Sequence, residues 1–156
     1  MKSIFKTSAL TLAFSAALIF SSSVFAAGTE EDVEPKGDWQ TFVQMDLDNG
    51  YYESALERLE AVQGDNEASS ADWNNFMGYT FRKQEEPNLE LAEMHYKKAL
   101  ELNAEHKGAM EYYGELKLIQ KDLAGAKELL TSLQNACPEG CDELDELVAS
   151  IAEYKE

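Results

Sequence analysis

The sequence predicts an all-α fold in which short helices pair as hairpins and the hairpins stack side by side as an α-solenoid. From Asp38 onward the apolar residues recur with helical spacing, and no segment shows the two-residue alternation of a strand. Turn signals divide this region into helices of about 11 to 16 residues, the length found in helical hairpins. A pattern of small and large residues also recurs at intervals of 37 and 34 residues, and such repetition is typical of stacked hairpins.

The N-terminal segment is excluded from this fold. Lys2 and Lys6 precede a short apolar run at residues 9–20, and the segment ends in small residues at Ala26. This order is typical of a secretory signal peptide, and the run is shorter than the ~20 apolar residues that a membrane-spanning helix needs. We therefore expect residues 1–26 to be removed after Ala26, which would leave the mature protein in the periplasm and not inserted in the membrane.

The rest of the chain divides into a leader and a helical domain. Residues 27–37 are acidic and broken by proline and glycine, which predicts a disordered leader. The helical domain is predicted over 38–156. Its turn signals are Asp48-Asn49-Gly50, Gly64-Asp65-Asn66, Glu86-Pro87-Asn88, Asn103, Lys121-Asp122 and Pro138-Glu139-Gly140. They separate hairpins predicted at about 38–64, 71–106 and 107–137 from a final helix at about 141–155.

Small residues occupy equivalent positions in successive hairpins. Three alanines in the second helices of the hairpins are each followed by a hydrophobic residue at +4 and another at +7: Ala55, Ala92 and Ala126. In the preceding helices, two glycines occupy matching positions, Gly78 and Gly114. A small side chain lets two helices approach closely. Glycine costs about 1 kcal/mol in a helix interior relative to alanine, so its presence there indicates a packing role. The predicted packing residues are Gly78, Ala92, Ala99, Gly114 and Ala126.

These positions resemble the tetratricopeptide repeat family, and in particular small exported bacterial proteins of that type. Residues 74–81 with 92–103 form the strongest match, the third unit at about 107–137 is a second, and 38–64 is weaker because Val43 replaces a small residue. The resemblance implies a right-handed solenoid of about three repeats, in which the first helix of each hairpin lines a concave groove that binds a protein segment.

The last helix is predicted to cap the solenoid. One stripe of it is apolar and consists of Leu144, Leu147, Val148, Ile151 and Tyr154. The opposite face is expected to be a solvated outer surface and consists of Asp142, Glu143, Asp145, Glu146 and Glu153.

Cys137 and Cys141 are separated by three residues. An exported chain permits a disulfide, which would fasten the capping helix to the third hairpin. Free thiols, a soft-metal site and redox chemistry are the alternatives, although the spacing is not the C-x-x-C of thioredoxin-like motifs.

Charge and motifs narrow the classes of function. The formal charge of −17 disfavours nucleic acid and anionic membrane surfaces as partners. The sequence contains no phosphate-binding loop, dinucleotide fingerprint or nucleophile elbow. We therefore expect no catalytic residues, no metal and no cofactor.

The resemblance places a set of side chains on the groove: Gln40, Gln44, Asn75, Tyr79, Arg82, Lys83, Glu111, Glu115 and Leu118. Arg82 and Lys83 form the adjacent cationic pair on a predicted inner helix and would suit a peptide carboxylate. The alternative is that both lysine and arginine pair with neighbouring glutamates.

Two functions stay open at this point. The leading one is a non-catalytic scaffold that binds a segment of another envelope protein. The other is a thiol–disulfide or metal-linked role through Cys137 and Cys141, or an accessory subunit of an envelope enzyme. The sign of the partner's charge is also open, because overall acidity favours a basic partner and the Arg82–Lys83 pair favours an acidic one.

Overall fold

The computed structural model describes residues 39–63 and 70–155, so the predicted signal peptide (1–26), the leader (27–37) and the predicted turn at 64–66 lie outside the described residues. All regular structure in the described part is helical, which confirms the all-α prediction. Its seven helices are α1 (Trp39–Asp48), α2 (Tyr52–Val62), α3 (Ala71–Lys83), α4 (Leu89–Leu102), α5 (Lys107–Ile119), α6 (Leu123–Ala136) and α7 (Asp142–Glu153). None of these helices has both the length and the apolar content needed to cross a bilayer.

The helices pair as hairpins along the chain. α1 packs on α2, α3 on α4 and α5 on α6, and α7 packs on both α5 and α6. α1 also contacts α3, α3 contacts α5, and α5 contacts α7. The odd-numbered helices therefore lie side by side, and we call α1, α3, α5 and α7 together the odd-helix layer.

Polar side chains define the starts of four helices. The side-chain oxygens of Ser70, Asn88 and Asp122 each accept a hydrogen bond from the backbone N–H three residues further on, at 2.8–3.0 Å. The His106 Nδ1 accepts in the same way from Ala109 N at 3.1 Å. Each cap satisfies a backbone donor that the helix itself leaves without a partner.

Three predicted turns contain left-handed backbone. Gly50 has a φ of 76° and Gly140 a φ of 94°, and both follow the helix end that the turn signal predicted. Lys121 adopts a φ of 63° without the freedom of glycine. Its position directly before the cap residue Asp122 lets α5 end and α6 begin within three residues.

Gly78 and Gly114 mark the closest helix contacts. A Cβ atom on Gly78 would lie 2.7 Å from two ring carbons of Tyr96 in α4, and one on Gly114 would lie 2.6 Å from a methyl carbon of Leu147 in α7. Tyr96 and Leu147 are both fully buried. These glycines therefore leave the space into which α4 and α7 insert their largest buried side chains.

The predicted small residues of the even-numbered helices are also in the interior. Ala92, Ala99 and Ala126 have no solvent-exposed surface. Trp73 is 3% exposed and donates from Nε1 to the Leu59 carbonyl at 2.9 Å. This indole bond joins α3 to α2 across the segment that the structure does not describe.

Candidate protein-binding site on the odd-helix layer

The predicted groove residues come from three neighbouring helices of the odd-helix layer. α1 carries Gln40 and Gln44, which are exposed and border a shallow depression of about 580 Å³ together with Met45 and Phe76. α3 and α5 carry the other members: Asn75, Tyr79, Arg82, Lys83, Glu111, Glu115 and Leu118. The layer thus brings together residues up to 78 positions apart in the sequence.

Arg82 lies inside the protein. It is 7% exposed, its Nη1 lies 2.6 Å from Glu115 Oε2, and its Nε donates to the Tyr96 hydroxyl at 3.3 Å. Its guanidinium also lies over the rings of Tyr79 and Tyr112, at 5.2 and 5.6 Å from their centroids. Arg82 therefore connects α3, α4 and α5. It pairs with a glutamate, as the alternative interpretation of the sequence had it, and it is covered from solvent.

Lys83 is in a different environment. It is exposed, and its ammonium lies 5.8 Å from the Tyr79 ring centroid. The two cations that are adjacent in sequence are thus separated into one buried structural group and one surface group. A ligand approaching from solvent meets Lys83 and not the pair.

Two tyrosines join the second and third hairpins beneath this surface. The rings of Tyr79 and Tyr112 are 4.7 Å apart at their centroids, within the range of favourable aromatic contacts. Burial raises the pKa of both phenols, so both hydroxyls stay protonated at neutral pH. The sequence offered Tyr79 as a groove residue and missed Tyr112, although its spacing from Glu115 would have placed it on an adjacent part of α5.

Asn75 and Glu111 are buried polar residues with atoms that have no partner. Asn75 is 6% and Glu111 3% exposed. Neither Asn75 Oδ1 nor Glu111 Oε1 has a hydrogen-bond partner among the residues that the structure describes. A Cβ on Gly108 would lie 3.3 Å from Asn75 Nδ2, so the Asn75 amide lies against α5 one helical turn before Glu111. The two groups therefore belong to one region of the odd-helix layer.

Glu111 has three acidic neighbours, and we call Glu111, Glu115, Glu143 and Glu146 the glutamate cluster. Burial, a hydrogen bond with Glu146 and the negative charges of the three neighbours together raise the pKa of Glu111 to about 9, and burial is the largest of these causes. Glu111 consequently keeps its proton at neutral pH. Ser150 Oγ donates to Glu115 Oε1 at 3.2 Å and links α7 to the same cluster.

Glu146 is exposed to solvent and also contacts the neighbouring helix. The sequence assigned Glu143 and Glu146 to the solvated outer face of the capping helix; Glu146 is exposed and Glu143 is half-buried, and Glu146 in addition hydrogen-bonds Glu111 on α5. α7 presents one edge to α5, because Leu147 inserts at Gly114. The signal that was available is the matched spacing of Glu111 with Glu115 and of Glu143 with Glu146, which places each pair on one side of its helix.

Glu93 on α4 is the centre of a group of hydrogen bonds and ion pairs on another surface. It accepts from the Tyr113 hydroxyl at 2.9 Å and from Gln120 Nε2 at 2.8 Å, and it pairs with Lys97 at 2.7 Å and Lys117 at 3.2 Å. Hydrogen bonds from Lys97 and Gln120 lower the pKa of Glu93 to about 2. These contacts join α4 to α5 and use two of the few positive charges in the chain.

Cys137 and Cys141 form a disulfide with a Cα–Cα distance of 5.9 Å. Cys137 is 5% exposed and packs with Met110, Leu133 and Leu147. The bond therefore fastens the start of α7 to the end of α6 beside the core. In the part of the chain that the structure describes, no group of three His, Cys, Asp or Glu side chains is arranged to hold a metal ion.

No model of a known protein family matches the chain, and no curated protein matches it. The resemblance to tetratricopeptide repeats therefore rests on the residues quoted for it.

Proposed function

We propose that this protein is an exported tetratricopeptide-type scaffold, a right-handed stack of about three repeats, that binds a segment of another envelope protein on its odd-helix layer. The observation that carries the proposal is that α1, α3 and α5 lie side by side and bring the predicted groove residues to one layer. Exposed amides on α1, the exposed Lys83 and the half-buried Tyr79 supply polar and aromatic contacts of the kind that protein interfaces use.

A binding role is also supported by the charged side chains that form ion pairs between helices. Arg82, Glu93 and Lys117 each bridge two helices through short polar contacts. Such groups hold helices in position, and this supports a scaffold that performs no catalysis of its own.

The proposal is tested by site-specific photo-crosslinking in living cells. A photoreactive amino acid at Gln40, Gln44 or Lys83 places the probe on the odd-helix layer, and one at Glu128 of α6 is the control on an exposed even-helix position. We expect the three layer positions to capture the same protein and Glu128 to capture none of it. Equal capture from all four positions, or no capture from the layer, would refute the proposal.

The exposed Lys83 also permits a clean charge test. Lys83→Glu changes a surface side chain, so we expect an unchanged melting temperature. If the partner contacts this end of the layer, crosslinking from Gln44 will change in yield, and loss of the fold would be visible independently by circular dichroism.

The alternative is a thiol–disulfide or metal-linked role through Cys137 and Cys141, or an accessory function in an envelope enzyme. Its support is that the bond closes an exposed turn at residues 138–140. The double Cys→Ser variant decides it: a redox role requires loss of a cellular phenotype while partner capture from Gln44 persists, and a structural bond predicts only a lower melting temperature.

The predicted export is tested separately by N-terminal sequencing of the protein recovered from the periplasm. We expect it to begin at Ala27. A chain that retains Met1 would contradict the predicted signal peptide.

A further inference from the structure

The capping helix α7 has little buried surface of its own. Leu147 is its one buried residue, whereas each of the other described helices has between two and seven. The Leu147 side chain occupies the space beside Gly114, and Val148, next to it in the sequence, is 45% exposed. Elements with few buried apolar contacts open at a low cost in free energy. Packing therefore holds α7 less firmly than it holds the other helices.

Polar contacts add little at the start of α7. The side chain of Cys141, which directly precedes this helix, makes no capping hydrogen bond, in contrast to the residues that precede α3, α4, α5 and α6. In the part of the chain that the structure describes, no ion pair joins α7 to another helix. The hydrogen bond from Ser150 to Glu115 lies nearer the other end of the helix. The covalent bond between Cys137 and Cys141 is therefore the strongest attachment at the start of α7.

The turn that contains this disulfide is open to solvent. Residues 138–140 are exposed, and a Cβ atom built on Gly140 would meet no atom beyond its chain neighbours within 4 Å. Cys141 is half-buried, whereas Cys137 is 5% exposed and packs in the core beside Leu147. A thiol that approaches the bond therefore reaches Cys141 first. Thiol–disulfide exchange requires such access, and exposed disulfides are the more readily reduced ones.

We propose that the Cys137–Cys141 disulfide is a redox switch for the attachment of α7: a dithiol reductant opens the bond and releases α7 while the three hairpins stay folded. A thiolate of the reductant attacks Cys141 Sγ, and Cys137 leaves as a thiolate that takes a proton from water. The second thiolate of the reductant then attacks the reductant's own sulfur in this mixed disulfide, and Cys141 leaves and is protonated in the same way. Two electrons pass to the cysteines, and the reductant ends as its own disulfide.

Release of α7 changes the surface of the third hairpin. Leu147 would leave the space at Gly114, and Met110 and Leu133, which are buried against it in the closed state, would become accessible. The switch therefore controls one end of the odd-helix layer, and it does not depend on the proposed binding of an envelope protein. Opening the five-residue loop adds chain entropy to the detached state, which should raise the population of that state by about 30-fold.

The test measures amide hydrogen exchange by NMR on the chain as purified from the cell envelope, with and without dithiothreitol and at several low urea concentrations. The urea dependence separates local opening of one helix from unfolding of the whole chain, because global unfolding exposes much more surface. Cys141→Ser, which removes the bond and leaves the buried Cys137 in place, is the second sample. Since this variant has no disulfide, it also controls for other effects of dithiothreitol.

We expect the amides of α7 to exchange through an opening that depends weakly on urea, and to exchange about 30-fold faster after reduction. Cys141→Ser should reproduce the faster rates and show no response to dithiothreitol. A strong urea dependence shared by α7 and α3 would overturn the inference, because α7 would then open only with the whole chain. Rates in α7 that rise less than about threefold on reduction would also overturn it, because packing alone would then hold the helix.

Two further measurements check the chemistry and the integrity of the hairpins. Alkylation of free thiols followed by mass spectrometry shows whether dithiothreitol opens the bond in the folded protein, as we expect. A bond that persists until urea unfolds the chain would rule out the switch. Circular dichroism of the reduced protein should retain the signal of the first six helices, and loss of that signal would show that the bond stabilises the whole fold and not one helix.

Discussion

Replacement of Gly78 by alanine tests the close packing on which the stacked fold depends. The added Cβ would lie 2.7 Å from Cδ1 and Cε1 of Tyr96 and 3.0 Å from Cζ, whereas carbon atoms in contact prefer about 3.5–4.0 Å. Tyr96 is fully buried, its hydroxyl accepts from Arg82 Nε, and its ring stacks at 6.1 Å on Tyr113. Movement of the ring away from Gly78 would disturb these contacts.

The expected magnitude is a difference between two opposed effects. Alanine favours a helix by about 1 kcal/mol relative to glycine. Overpacking a dense core costs about 1–3 kcal/mol, and displacing the Tyr96 hydroxyl weakens a hydrogen bond that contributes about 1 kcal/mol. We therefore expect Gly78→Ala to lower the free energy of unfolding by about 1–2 kcal/mol and the melting temperature by about 3–10 °C.

Urea unfolding followed by circular dichroism at 222 nm measures this effect, and a double-mutant cycle identifies its cause. Tyr96→Val removes the ring atoms that the new Cβ would meet. In that background Gly78→Ala should raise stability, because only the helix preference remains, by up to about 1 kcal/mol.

The sign of the change in unfolding free energy in the wild-type background decides whether the contact with Tyr96 constrains the packing of α3 on α4. If Gly78→Ala leaves the wild-type protein equally stable or makes it more stable, the contact with Tyr96 does not constrain the packing of α3 on α4. An identical effect in both backgrounds would show that the cost does not come from the Tyr96 ring.

Four further perturbations have defined outcomes. The raised pKa of Glu111 means that the native state binds more protons than the unfolded chain between about pH 4.5 and 9, so stability should rise as pH falls through this range; melting curves of Glu111→Gln should show a flatter slope there. The lowered pKa of Glu93 acts oppositely, and its stabilising contribution should be lost as pH falls from about 4.5 towards 2, a loss absent from Glu93→Gln. Replacing both Cys137 and Cys141 by serine opens a five-residue loop and should cost about 2 kcal/mol, which unfolding of reduced wild-type protein should reproduce. Arg82→Met should destabilise by about 3–5 kcal/mol in urea unfolding, because Glu115 loses its partner in a partly buried position; an unchanged midpoint would contradict that.

Local signals predicted the helices well. The turn residues before α2, α4, α6 and α7 occur where the sequence placed them, because capping and left-handed turns depend on a few adjacent residues. The disulfide could be anticipated for a similar reason, since four positions of separation keep two cysteines within reach. The groove residues could be assigned to helices, but their exposure could not be predicted.

The sequence did not predict contacts between helices distant in sequence. It left open whether Arg82 is available to a ligand or pairs with a glutamate, and its partner Glu115 is 33 residues away. Glu146 is exposed as expected, but its contact with Glu111, at a separation of 35, was not predicted. Helical spacing tells which side of a helix a residue occupies and not which residue of another helix it meets. That choice depends on the rotation and axial offset of two packed helices.

The amino-acid order was therefore sufficient for the helical class, the position of the described turns, the need for small residues at Gly78 and Gly114, and the strong negative charge. Packing decided which charges remain at the surface, because α3, α5 and α7 approach at offsets that pair Arg82 with Glu115 and cover Glu111. A charged group keeps or loses its hydration according to neighbours that only the folded chain brings near it.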